Sequence, residues 1–387
     1  MADFVFKCPQ CGQDVTADDS IRGQSVKCPL CKEGIIVPGG TSPDHSGTAK
    51  QNADFKAMAA NVHDKFNKFA GLEKLEGFSI GALFSDIFKH HSRDEVEEFF
   101  TTGTASTTPS IEKVDTSWPR PWMFFRTLSF SLFVYFLFNV AWETFNNINL
   151  IPGLMAVGTV AVPVSALIFF FEVNVRRNIS LYVMLRLVML GGVTSLIFSL
   201  ILFELPLTNM NFLGASIAGL IEEPGKLLAL LVIARSPKYR YKMNGLLMGA
   251  AIGAGFAMFE SMGYAFRALL IKGDKDFMTD IIMLRGVLSP FAHIAWTAIS
   301  GAAIWRVKGG RPFEFKMLAD GRFWHLFIVP VVLHMIWNAD VLSSLPYHLK
   351  NIGLGVITWV IILALIQEGL KELRREKVSA IGGTDAA

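Results

Sequence analysis

Beyond residue 118 the chain alternates between long apolar stretches and short polar connections, whereas polar residues dominate before it. A hydrocarbon core of about 30 Å needs ~20 apolar residues per helix, and by that measure the pattern predicts about eight spans. They lie near 123–142, 151–171, 181–203, 211–233, 244–270, 281–305, 324–343 and 351–370. The expected fold is an all-α polytopic membrane protein.

Upstream, Phe55, Met58, Val62 and Phe66, then Phe78, Leu83 and Ile87, recur at helical spacing. They predict one or two amphipathic helices within 53–101, lying on a membrane or a partner. Adjacent helical residues point about 100° apart, so His90-His91 reads as a solvated face rather than a metal pair. Residues 39–52 and 102–117, rich in Gly, Ser, Thr and Pro, read as linkers. Trp118-Pro-Arg-Pro-Trp122 reads as an interfacial anchor ahead of the first span. The division expected from these shifts is 1–38, 39–117 (linker and amphipathic segment), 118–373 (transmembrane) and 374–387 (tail).

Residues 1–38 change the picture at the N-terminus. Cys8-Pro-Gln-Cys11 and Cys28-Pro-Leu-Cys31 are two CxxC pairs separated by 16 residues, and the chain's 4 cysteines are all used in them. Two ligand pairs on tight turns, joined by a spacer able to form hairpins, are what tetrahedral zinc requires. A small β-rich zinc ribbon is expected, with a strand at Ile35-Ile36-Val37 and flexible backbone at Gly12 and Gly34. Such a ribbon is structural by default, metal binding serving as folding energy, and it offers a surface to an unknown cytoplasmic partner.

Charge adds a topology. Net charge is only +3, which gives no support for nucleic-acid binding. Lys and Arg concentrate in alternate connections: Arg176-Arg177, then Arg235 to Lys242, Arg306 to Arg322, and the tail from Lys371. The positive-inside rule then puts both termini and the ribbon in the cytoplasm, as does the absence of a basic, apolar leader after Met1. The connection containing Arg267, Lys272, Lys275 and Arg285 is an exception to that bias.

Candidate chemistry lies inside the spans. Glu222-Glu223, Glu260, His293 and His334 fall near the middle of four successive apolar stretches, where ionisable groups are costly and mark function. At 1.5 Å per residue, three of these positions are about 17–18 Å from the cytoplasmic ends of their spans and Glu260 about 25 Å. Glu222 and Lys226, and His334 and Asn338, share helix faces at i,i+4, so Lys226 is expected to pair with Glu222 and Glu223 to address another neighbour. Pro224 is expected to kink its span, and Gly253, Gly255 and neighbouring alanines to admit close helix approach. Peptide hydrolysis needs a base for water, polar contacts for the oxyanion and a proton for the leaving amine. Carboxylates and histidines supply these directly, and equally suit a divalent metal that would activate the water.

Glu222-Glu223-Pro-Gly-Lys226, Phe256-Ala-Met-Phe-Glu260 and the following His293 and His334 together resemble the EExxK, FxxxE and histidine motifs of PrsW-type intramembrane proteases, relatives of the CAAX prenyl endopeptidases. The resemblance covers about residues 120–370. It implies a glutamate-dependent endopeptidase of the bacterial inner membrane, acting on membrane-anchored proteins such as anti-sigma factors. Glu222, Glu223, Glu260, His293 and His334 would form its catalytic site. Glu260 stands where prenyl endopeptidases have histidine, and Lys226 one residue before their arginine, which disfavours a prenylated substrate. The expected roles are Glu222, oriented by Lys226, as base, Glu260 as proton shuttle, and His293 and His334 on the carbonyl with Asn338 as a further donor. The alternatives are an ion-coupled transporter, which inverted repeats would favour though none is evident, and a membrane scaffold whose ribbon binds a partner.

Overall fold

The computed structural model describes residues 3–21, 23–38, 70–73, 75–205, 211–340 and 349–382. Phe55, Met58, Val62 and Phe66 lie outside the described residues. Two units separate, Met1–Phe66 and Asn67–Ala387.

The first unit is a pair of antiparallel hairpins, β1 (Asp3–Lys7) with β2 (Asp14–Asp18) and β3 (Ser25–Lys27) with β4 (Gly34–Ile36). Each hairpin turn is a cysteine knuckle built by the same backbone hydrogen bonds. The N–H of Cys8 donates to Gln13 and that of Cys28 to Glu33, both at 2.8 Å. The N–H groups of Gly12 and Lys32 return to Cys8 and Cys28 at 2.8 and 2.9 Å. That closure needs a left-handed residue, φ +70° at Gly12 and +60° at Lys32. The second such position is therefore Lys32 and not Gly34, which is the first residue of β4.

In the second unit, α1 (Ile80–Leu83) and α2 (Arg93–Thr101) precede the spans, each opened by a serine whose Oγ accepts a backbone N–H. His91 is not on a solvated face. It stacks flat on Trp122, ring centroids 3.5 Å apart, and hydrogen bonds Glu95 at 2.8 Å. Trp122 in turn carries the Arg126 guanidinium on its ring and is only 8% exposed, so it is a buried joint more than a lipid anchor. The polar stretch expected as linker at 102–117 is held against the last helix. Arg374 and Lys377 donate to the carbonyls of Thr116 and Val114 at 3.1 and 2.8 Å.

The helices that follow are α3 (Met123–Phe145), α4 (Ile151–Val173), α5 (Leu181–Phe203, with a π turn at Leu187–Gly191), α6 (Ile217–Ala234), α7 (Lys242–Lys272), α8 (Lys275–Leu288), α9 (His293–Lys308), α10 (Gly321–Asn338) and α11 (Leu349–Gly382). Six stretches among the described residues are long and apolar enough to cross a membrane: α3, Ile148–Val173, α5, α7, α8 with α9, and Leu349–Ile381. The other two expected spans, α6 and α10, have 18 residues each. They fall short because they carry Glu222, Glu223 and Lys226, and Arg322, His325 and His334, within that length. The chain is thus a multi-pass membrane protein.

Two local devices position the site. α7 and α9 pack through small residues: a Cβ placed on Gly253 would lie 2.4 Å from the His293 carbonyl oxygen, and one on Gly301 2.1 Å from that of Gly245. No larger residue permits that approach. The second device is a break. The expected helix across 281–305 is interrupted by a 3-10 turn at Ser289–Phe291 and by Ala292 at φ −118°, ψ −124°, so His293 is the first residue of α9. Pro290 supplies the reason, lacking an N–H and restricting its predecessor. Pro224, by contrast, sits inside an uninterrupted α6.

Candidate active site in the membrane unit

α6, α7, α9 and α10 bring every ionisable residue singled out in the spans to one place. Glu223 and Lys226 are fully buried, His334 is 2% exposed and Glu222 8%. Buried charges must be paired or they are expelled, and the pairing here forms a continuous chain. Arg285 Nη2 donates to Glu260 Oε2 at 2.5 Å, and the same oxygen lies 3.1 Å from His293 Nε2. His293 Nδ1 is 2.9 Å from Lys226 Nζ, which donates to Glu223 Oε1 at 2.7 Å. Glu223 Oε1 then meets His334 Nδ1 at 2.9 Å, while His334 Nε2 faces Glu222 Oε2 at 3.9 Å.

Glu222 is the outlier of the set. Its Oε2, like Glu223 Oε2, is buried and makes no hydrogen bond among the described residues. Glu223, however, is bonded through Oε1 to Lys226 and His334, whereas the ion-pair contacts of Glu222 are at 3.8 and 3.9 Å. Lys226 Nζ stands 3.8 Å from it, so the expected Glu222–Lys226 pair is the longer contact and Glu223, at i+3, is the closer partner. A lysine side chain reaches both faces, and the site's second histidine draws Glu223 to the same centre.

Aromatic rings fix the imidazoles. Trp296 lies over His334 at 4.6 Å and meets His293 edge-on at 5.4 Å. Phe256 is 5.0 Å from His293 and supports the Lys226 ammonium over its face at 4.3 Å, a cation–π contact. The phenylalanine of the FxxxE pattern thereby has a physical task that sequence alone left unread.

A cavity of about 360 Å³ opens beside this cluster, lined by Arg285, Ser289, His293, Trp337 and Asn338 among others. Asn338 therefore faces the same space as His293. In the sequence Arg285 is one basic residue of the connection that departs from the Lys/Arg bias. Its place on α8 against Glu260, and the pairing of Lys275 with Glu143, account for two of that connection's positive charges.

Two groups of donors suit a metal. In the ribbon, the sulfurs of Cys8, Cys11, Cys28 and Cys31 all lie within 4.8 Å of one another, with Cys8–Cys31 at 3.8 Å and Cys11–Cys28 at 4.0 Å. Tetrahedral Zn–S bonds of about 2.3 Å require sulfurs roughly 3.8 Å apart. In the membrane unit, donor atoms of Glu222, His293 and His334 also lie within 4.8 Å. Glu222, with an unused oxygen, and His334, backed by Glu223, fit on chemical grounds; His293, backed by Glu260 through Nε2, fits only by giving up the Nδ1 contact with Lys226.

Residues 180–366 match the family model described as PrsW family intramembrane metalloprotease. The chain is also similar to "Protease PrsW" of Clostridioides difficile (strain 630), 27% identical over 160 residues, which cover 40% of this chain and 61% of that protein. No solved structure matches the chain significantly. The ribbon and residues 70–179 lie outside the matched region. Over residues 180–366, the chain carries the pattern of the PrsW family of intramembrane metalloproteases, the family its motifs resemble.

Proposed function

We propose that the chain is an intramembrane endopeptidase that cuts membrane-anchored proteins, with Glu222 as the base for water. The observation supporting this most directly is the unpartnered Glu222 Oε2, held among paired charges and facing His334. In the proposed reaction Glu222 takes a proton from water while the water oxygen bonds to the scissile carbonyl carbon. The Asn338 amide donates to the oxygen that becomes the oxyanion, and His334, whose Nδ1–H is given to Glu223, adds a second donor at Nε2 when it is the imidazolium. When the tetrahedral species collapses, the C–N bond breaks and the proton held by Glu222 passes to the leaving amine. Glu223 and Glu260 orient the two imidazoles, and Lys226 balances the carboxylates, so His293 acts through position more than through a free nitrogen. Glu222, His293 and His334 are the residues that would hold a divalent metal, which when bound would polarise the carbonyl and acidify the water.

The PrsW-like region supports a substrate anchored in the same bilayer, an anti-sigma-factor-like protein being one example, and a bacterial inner membrane, while the Lys/Arg bias of the connections supports cytoplasmic termini. The ribbon is proposed to hold zinc and to present a cytoplasmic regulatory surface. A carrier is the second reading, favoured by the broken helix that puts His293 at a helix start, since discontinuous helices line transport sites. Reconstitution in proteoliposomes with a single-span reporter separates the two: the endopeptidase yields reporter fragments, and a carrier moves solute or protons and leaves the reporter whole.

A further inference from the structure

Arg285 lies in none of the sequence motifs, yet it is the only arginine among the described residues paired with the cluster. Its guanidinium does three things at once. Nη2 donates to Glu260 Oε2 at 2.5 Å, Nε donates to Ser261 Oγ at 3.0 Å, and the group stacks on the Tyr264 ring at 4.3 Å. Ser261 and Tyr264 are on α7 with Glu260, so Arg285 ties α8 to three neighbouring residues of α7. Glu260 Oε2 is shared between Arg285 and His293 Nε2, which makes the carboxylate a bridge from α8 to the first residue of α9. That bridge spans the break at Ser289–Ala292, where α8 gives way to a 3-10 turn and Ala292 leaves helical dihedrals before His293 opens α9. Glu260 is the partner of His293 Nε2 among the described residues, and the other ring nitrogen meets Lys226 at the centre of the cluster.

We propose that Arg285 is a positioning residue of the membrane site: through Glu260 it sets the orientation of His293 across the α8–α9 break. The role rests on the endopeptidase reading above only for its kinetic consequence. Arg285 also borders the cavity, but the N–H groups with partners, on Nη2 and Nε, go to α7, so the role assigned to it runs through Glu260.

Two measurements on the full-length protein test this. In the reporter assay, Arg285→Gln is expected to lower kcat by at least about tenfold with KM changed less than about threefold, and Arg285→Lys, which keeps the charge, to recover much of kcat. Unchanged kcat in Arg285→Gln, or an effect on KM alone, overturns the proposal. The second measurement needs no turnover. In detergent-solubilised protein labelled with nitrogen-15 histidine, one of 8 histidines, assigned with a His293→Gln variant, reports the ring environment of His293. That signal is expected to shift or broaden in Arg285→Gln and to stay near its native position in Arg285→Lys. A His293 signal indifferent to Arg285→Gln overturns the proposal even if the chain cleaves nothing. Loss of all cleavage in the unaltered protein, with the shift present, counts against the endopeptidase reading alone. Should Arg285→Gln fail to fold, Arg285→Met, which keeps the length of the side chain and removes every donor to Glu260, is the second variant, and an unmoved His293 signal there is the contradicting result.

Discussion

Lys226 is a fully buried ammonium whose neighbours are two carboxylates, an imidazole nitrogen and an aromatic face. Its replacement leaves Glu223 buried without its cation, and breaking such a pair costs about 3–5 kcal/mol. Lys226→Met is therefore expected to destabilise the membrane unit by that order, read as a lower denaturation midpoint in detergent, while Glu222→Gln, which removes a charge with no hydrogen-bonded partner, leaves the midpoint near its native value. In the ribbon, Lys32 occupies the left-handed position that Gly12 takes in the other knuckle. Lys32→Gly is expected to stabilise the ribbon by about 0.5–1 kcal/mol, the left-handed penalty less the entropy of glycine. A few-fold gain in zinc retention against a chelator, measured on the full chain, checks it. The charged members of the site were legible because a carboxylate in an apolar stretch is conspicuous. Who pairs with whom was not. The i+3 and i+4 positions are both within a lysine's reach, and only the placement of His334 and His293 decides between them.

At the level of elements, one buried carboxylate organises the first span. Glu172, near the end of α4, accepts the backbone N–H groups of Trp122 and Met123 at 2.8 Å and of Phe124 at 2.9 Å. Trp122 offers no side-chain cap of its own, so the orphan donors of α3 are met from the neighbouring helix. Glu172→Ala is expected to cost about 2–3 kcal/mol through those stranded donors, seen as a lower unfolding midpoint with fraying at residues 122–126 in amide exchange. The α7–α9 contact is tested by Gly253→Val. The added side chain meets the His293 carbonyl, and reporter cleavage is expected to fall at least about tenfold as His293 is displaced. The small-residue stripe of α7 was readable from sequence, as was the length of most spans. The break before His293 was missed because Ser289-Pro290 lies in an otherwise apolar run, and a proline there is compatible with a kink or a stop. The cap from Glu172 and the docking of 102–117 on α11 rest on contacts 48 to 263 residues distant in sequence, beyond the reach of any local pattern.

For the whole molecule, the governing fact is that four helices direct three glutamates, two histidines and one lysine to a common centre beside a cavity. That convergence was anticipated from the depth of the residues along their spans; the addition of Arg285 from a fifth helix was not. Metal dependence belongs to this scale, because two donor sets coexist in one chain. With Cys8, Cys11, Cys28 and Cys31 all replaced by serine in the full-length protein, a chelator can act only on the membrane set. Reporter cleavage lost on chelation and restored by a divalent ion is the outcome expected if Glu222, His293 and His334 hold a metal; cleavage unaffected assigns the chemistry to the side chains alone. The central claim is tested most directly by reporter cleavage in proteoliposomes, native chain against Glu222→Gln at equal folded amounts. The account predicts fragments from the native chain and none from the variant, and a Glu222→Gln protein that cuts the reporter at the native rate would contradict it.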